Sequence, residues 1–427
     1  MKIHSLVLIL ALLPTPGALA QPKYALDTTT FVVMGEGLGA GMADFALRDV
    51  FQKQSFPALV AQQLKTAFPQ PLIQPPGIGS APGFTQLEVT VPALGQNTVR
   101  VVPSGSITPT FFILNLSVPG MKLADAISRR PALPIVQKND MQQTVINLIL
   151  GYPQMVFAGV PLWNQLEYAQ AMNPTLGLVE LGYFDVLDAA VKGDVSLLPD
   201  ASAFQTNYAK VVASLGGNFS NIIVTTIPNP LDTAYFTSLP SATRLLGPSA
   251  AQLQSLFGLK ADDLLTVSGM VAAGNQILSG KTSTLPAGSV LSAATASQIT
   301  SRVAALNSAI SSVAQQNGAV VYDLNVFFAR IKSQGAIVGN KVLTADFQGG
   351  VYSLDGYYPG TTTHALIANE ILTLINKTFS KSYTLVDPVA ILATDPAQRY
   401  TPAIRKPGAT PEAESRPMRG TIVGGRF

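Results

Sequence analysis

The chain has 427 residues, 47% of them hydrophobic and 12% charged, with no cysteine, two histidines and a formal net charge of +3. Without cysteine there are no disulfides, thiolate nucleophiles or sulfur-ligated zinc, so apolar burial must hold the fold. Much of the positive charge stands at the end, where Arg399, Arg405, Lys406, Arg416, Arg419 and Arg426 face only Glu412 and Glu414. The remainder is near neutral, which gives no support to nucleic-acid binding.

Residues 1–20 have the pattern of a cleavable secretory signal: Lys2, an apolar run from Leu6 to Leu13, then the small-residue site Ala18-Leu19-Ala20. Cleavage is expected after Ala20. The run is too short to span a bilayer, and no cysteine follows it to carry a lipid. The expected location is therefore secreted or periplasmic. Loss of His4 with the signal leaves His364 as the one histidine, so no transition-metal site and no cofactor are expected.

From 28 to about 379, short apolar runs alternate with helical periodicity, the pattern of βα units. Strands are predicted at 31–34, 111–116, 176–181, 222–226 and 320–324. Their β-branched content suits burial on both faces of a parallel sheet. Ile299, Val303, Leu306, Ile310 and Val313 recur at spacings of three and four, which predicts a helix with one apolar face. A closing helix is expected from about Thr363 through Ile371 and Ile375.

Two insertions, about 122–174 and 230–295, mix helical stretches with Pro and Gly and are expected to cap one end of the sheet. Trp163, in the first, is expected in the core. Residues 387–427, rich in proline with scattered Arg and Gly, are expected to form a disordered tail. The plan is thus a signal at 1–20, an α/β domain at 21–386 and a tail at 387–427.

In an open parallel sheet, chemistry collects in the loops beyond the carboxyl ends of the strands. Four segments fall there: Gly35-Glu36-Gly37-Leu38, Ser117-Val118-Pro119-Gly120, Gly182-Tyr183-Phe184-Asp185 and Asp355-Gly356-Tyr357-Tyr358-Pro359. In this order and spacing they resemble the blocks of the SGNH, or GDSL-type, ester hydrolases. The resemblance extends over about 28–379, with support from Ser55-Phe56-Pro57-Ala58-Leu59 and Ala365-Leu366-Ile367-Ala368-Asn369-Glu370. It implies a three-layer α/β/α sandwich of flavodoxin-like type, with a mostly parallel five-stranded sheet and helical cap insertions. It also implies a nucleophilic serine in the first block and oxyanion donors from a glycine and an asparagine in the second and third. An aspartate and a histidine would come from the fourth.

The residues at those positions depart from the family. The nucleophile position is Gly37, preceded by Glu36 instead of aspartate. Gly120 is kept, the asparagine position is Phe184, and Asp185 beside it matches. Asp355 is kept as the triad acid, but the histidine position is Tyr358. Loss of an oxyanion donor costs about 3 kcal/mol. Loss of the serine or histidine costs on the order of a millionfold in turnover. A tyrosine with a pKa near 10 makes a poor general base. Glycine offers no nucleophile at all.

The expectation is a pseudoenzyme of hydrolase fold that binds or interacts, with an apolar, ester or glycan ligand over Phe184, Tyr357 and Tyr358. The same aromatic side chains could instead plug the site of a purely structural protein. An alternative is an active hydrolase of lipid, acyl ester or acetylated glycan with a rearranged site, using Asp355 and His364 as base. Another pairs carboxylates among Glu36, Asp185 and Asp355. Asn115, Asn218 and Asn376 begin N-x-S/T triplets, of which Asn115, at a strand end, is a poor acceptor.

Overall fold

The computed structural model describes residues 24–75, 77–78, 99–102, 112–137, 139–156, 159–216, 221–280 and 282–400. The expected signal segment lies outside them, as do residues 401–427 of the expected tail. The protein is α/β, built on a four-stranded sheet of Phe31–Gly35, Leu176–Glu180, Asn221–Thr225 and Val320–Tyr322, hydrogen-bonded in that order. All neighbours are parallel, with Val33 opposite Leu178, Leu178 opposite Ile223 and Ile223 opposite Val320. Every residue of the first three strands is buried. That is why their sequences are continuous apolar runs without alternation.

The stretch expected as a further strand at 111–116 is extended but irregular; Phe111 lies outside the described residues. Its next residues run parallel to the first strand and pair with it through a single bridge, Val33 with Asn115. Val33 N donates to Leu114 O at 2.9 Å, Leu116 N to Val33 O at 2.9 Å and Val118 N to Gly35 O at 3.1 Å. The Asn115 side chain turns inward, donating to Gly39 O at 3.2 Å and Gln70 Oε1 at 3.1 Å.

Helix Ala293–Asn317 buries Ile299, Val303, Leu306, Ile310 and Val313, the face the spacing predicts, and packs on helix Ala201–Leu215. Ser292 caps its start, and Gly318 in the left-handed region (φ 66°) ends it. The closing helix Thr361–Phe379 packs on helix Phe56–Leu64.

The two insertions behave differently. The first, with helices Leu123–Ala126, Met141–Ile149, Tyr152–Val156 and Gln165–Ala171, is part of the main body. Leu123, Ile146, Leu166 and Tyr168 join the same buried cluster as the strands. Gln165 Nε2 ties it to the sheet, donating to Gly35 O at 2.8 Å and Leu116 O at 2.7 Å. The second forms a small unit of its own. Strands Phe236–Ser238, Leu264–Thr266 and Val290–Leu291 make an antiparallel sheet. Around it Leu239, Ala242, Leu253, Phe257, Leu265 and Ala273 form a separate core. Tyr235 N at its edge donates to Gly356 O at 2.8 Å, which sets this unit against the Asp355 loop.

The expectation of a disordered tail from 387 is corrected for residues 387–400. Asp387 caps helix Pro388–Leu392, in which Pro388 stands in the first turn, where its missing N–H costs nothing. Asp395 Oδ2 accepts from Thr362 N at 2.8 Å, and Ile391, Leu392 and Ala397 are buried. Proline here starts a helix; it does not mark a chain that fails to pack. Among the described residues no helix is long and apolar enough to cross a membrane.

Candidate functional site

At the carboxyl end of the first strand, Gly35 leads into Glu36, which caps the short helix Gly37–Ala40. Glu36 Oε1 accepts from Leu38 N at 2.7 Å. Glu180, at the end of the second strand, completes the loop: its Oε2 accepts from Glu36 N at 3.1 Å and from Gly39 N at 2.9 Å. Two carboxyls thus satisfy the free N–H groups of one tight turn. Both are buried, at 0% and 1% exposure. Burial pushes Glu36 up to about 7, outweighing the bond from Leu38 N. Burial, and then the neighbouring Glu36, push Glu180 well above the ordinary carboxylate range.

Tyr358 enters this loop from the fourth block. Its hydroxyl donates to Glu36 Oε2 at 2.8 Å. A Cβ built on Gly37 would stand 2.3 Å from the Tyr358 hydroxyl oxygen and 2.4 Å from the ring carbon that bears it. No real side chain approaches so closely. Gly37 and Tyr358 are one packing solution: the tyrosine occupies the volume a side chain at 37 would need. Burial, and then the Glu36 charge, hold the Tyr358 hydroxyl well above its ordinary pKa.

The surrounding aromatic rings complete a buried cluster. Tyr358 meets Tyr357 at 5.1 Å and Tyr183 at 6.2 Å between ring centroids, both edge to face, and Tyr235 meets Tyr357 at 5.6 Å. The Tyr183 hydroxyl donates to Tyr357 O at 3.0 Å. All four rings are under 3% exposed. The ligand platform expected from Phe184, Tyr357 and Tyr358 is therefore not an open surface. Phe184 is half-buried against the main core in the first turn of helix Tyr183–Lys192, and Tyr183 and Tyr235 take the places beside the other two.

Asp355 is used up by its own turn. Its Oδ1 accepts from Tyr357 N at 3.0 Å and Tyr358 N at 2.8 Å, and its Oδ2 from Ser353 Oγ at 2.8 Å and Phe45 N at 3.4 Å. Burial nonetheless pushes it up to about 7. Asp185 accepts from Leu123 N at 3.0 Å, joining the third block to the first insertion, and burial pushes it also up to about 7. Gly120 sits at φ 77°, and a Cβ there would meet Gln142 Oε1 at 2.3 Å. Gln142 Nε2 donates to Pro119 O at 2.9 Å, so that amide covers the glycine.

His364 lies 1% exposed on the closing helix, stacked on Phe56 at 5.9 Å. Its Nδ1 accepts from Phe56 N at 3.2 Å, serving the start of helix Phe56–Leu64, where Ser55 makes no side-chain cap. Burial pushes it down to about 3, so the ring stays neutral. Among the described residues no hydrogen bond joins it to Asp355 or Tyr358. The structure thus brings together Glu36, Gly37, Asp355, Tyr357 and Tyr358, and sets His364 to a packing task.

Sequence reasoning missed Glu180, Tyr183, Tyr235 and Gln142. Glu180 carried a signal: a carboxylate closing a strand buried on both faces must find donors. Trp163, expected in the core, is only half-buried and lines a cleft of about 750 Å3 in the first insertion. Asn115 is buried, and the Asn376 amide is engaged with Tyr383 N and O at 2.7 and 2.9 Å, so neither triplet offers a free side chain. Asn218 lies outside the described residues. No group of three or more His, Asp or Glu among the described residues could hold a metal ion. No family model matches the sequence, and no curated protein matches it.

Proposed function

We propose that this chain is an extracytoplasmic, non-catalytic relative of the SGNH/GDSL ester hydrolases that acts by binding or interaction instead of acyl transfer. In this reading the fold is the family's three-layer sandwich, and the 113–118 segment is the fifth strand of its sheet. Gly37, Phe184 and Tyr358 then stand where serine, asparagine and histidine would act.

One observation carries the reading. The Tyr358 hydroxyl lies 2.3 Å from where a Cβ at position 37 would stand, so a side-chain nucleophile there is excluded by packing as well as by sequence. Around it Asp355 and Glu36 are spent on backbone N–H groups and on the Ser353 and Tyr358 hydroxyls, which is the work of loop anchors, not of a general acid or base. Tyrosine rings from two blocks and from the second insertion close the space above.

The test is turnover of p-nitrophenyl acetate, butyrate and octanoate by the purified protein. The reading expects rates equal to those of buffer containing an inert protein. Turnover that is lost on Asp355→Ala would overturn it.

A further inference from the structure

The first insertion carries a concave feature built from residues with no part in the Gly37 loop. The cleft of about 750 Å3 is lined by the apolar Leu162 and Trp163 and by the polar Gln154, Gln170 and the Arg130–Glu167 pair, among others. Its size is that of small-ligand sites. Trp163 is the chain's one tryptophan. It is braced edge-on by Tyr168 at 5.5 Å and 77°, and Tyr168 is itself buried and fixed by Ile113 N at 3.2 Å. The indole is therefore a rigid platform, half open to solvent.

The polar groups divide into committed and free. Arg130 holds both oxygens of Glu167 through Nε and Nη2, and Glu167 also closes the capping box of helix Gln165–Ala171 with Asn164. That charged pair is electrically balanced. The Gln154 and Gln170 amides and the Trp163 indole N–H make no hydrogen bond to any described residue, and none is buried without a partner. They face solvent and are open to an outside group.

We propose that this cleft binds a neutral pyranose glycan. One apolar face of a sugar ring would lie on Trp163 and Leu162, with its hydroxyls on Gln154, Gln170 and the Arg130–Glu167 pair. An amide offers both donors and an acceptor, which suits a hydroxyl that does both. The paired charges leave no net charge to attract an ionic ligand. The inference rests on the cleft alone. Its failure leaves the reading of Gly37 and Tyr358 untouched, and failure of that reading leaves the cleft as it is.

The experiment titrates the full chain with cellotriose, maltotriose and chitotriose, following Trp163 emission and the heat of binding. At least one probe is expected to give a saturable change in both. Trp163→Ala and the double variant Gln154→Ala/Gln170→Ala, followed by heat, are expected to weaken binding about tenfold or more with unchanged circular dichroism. No saturable signal from any probe at millimolar concentration overturns the proposal. So does binding that both folded variants leave unchanged, or saturable binding of a proline-rich peptide alone.

Discussion

Gly37→Ala puts one methyl group where Tyr358 already is. The new carbon would stand 2.3 Å from the hydroxyl oxygen and 2.4 Å from the ring carbon behind it, so the whole ring must shift. That ring is fenced by Tyr183 and Tyr357 and hydrogen-bonded to Glu36. Overpacking of this kind costs about 1–3 kcal/mol. Loss of the Tyr358–Glu36 bond with its acceptor left buried adds about 1–2 kcal/mol. The expected loss is about 2–5 kcal/mol, a large share of a domain's usual stability. Tyr358→Phe should not rescue it, because the ring carbon still collides. Tyr358→Ala alone opens a cavity and costs about 3–5 kcal/mol. Combined with Gly37→Ala it should cost about 2–5 kcal/mol less than the two single losses together, since the methyl then enters the space the ring left and the Tyr358–Glu36 bond is not lost a second time. Urea unfolding at fixed pH, read as the midpoint at constant slope, measures all four variants. A Gly37→Ala midpoint equal to that of the parent, or strict additivity in the double variant, would refute the shared-volume argument.

The buried acids set a pH dependence. Glu36, Asp185 and Asp355 are all raised to about 7 in the fold, so the native state keeps protons that the unfolded chain releases from about pH 4 upward. Their contribution is greatest below the unfolded values and is lost as pH rises through about 7; Glu36→Gln should flatten part of that loss in urea midpoints taken from pH 5 to 8. His364 acts in the opposite sense: its folded value of about 3 means stability is lost as pH falls below the ordinary histidine range. His364→Phe should remove that acid-side loss while costing about 1–3 kcal/mol at pH 7, because Phe56 N is left without its acceptor. Ending the chain at 386 removes the Asp395–Thr362 contact and the buried Ile391 and Leu392, and should lower the melting temperature by several degrees.

The sheet was legible because burial on both faces writes itself as apolar runs, and the helix at 293–317 because its spacing repeats over many turns. The 113–118 segment was legible as extended chain, but its single bridge to the first strand was not, nor were Asn115's inward bonds to Gly39 and Gln70, which lie far away in sequence. Gly37 could be read as a loop position without a side chain, yet what fills the space beside it could not. Whether Tyr358 leaves or fills that space depends on a contact across more than three hundred residues. His364 misled as a lone histidine because its partner, a backbone N–H of Phe56, has no signature in sequence. Residues 387–400 misled because proline content signals both disordered chain and the first turn of a helix. The second insertion's separate core and the first insertion's merger with the main body follow from tertiary packing, which local composition does not record.

Intact-mass spectrometry after treatment with a fluorophosphonate tests the central claim most directly. With the Tyr358 ring in the space a side chain at 37 would need, the account predicts an unmodified mass after prolonged exposure. A stoichiometric adduct that maps to a serine or threonine of the α/β domain, and that is absent from heat-unfolded protein, would show an activated hydroxyl and contradict it.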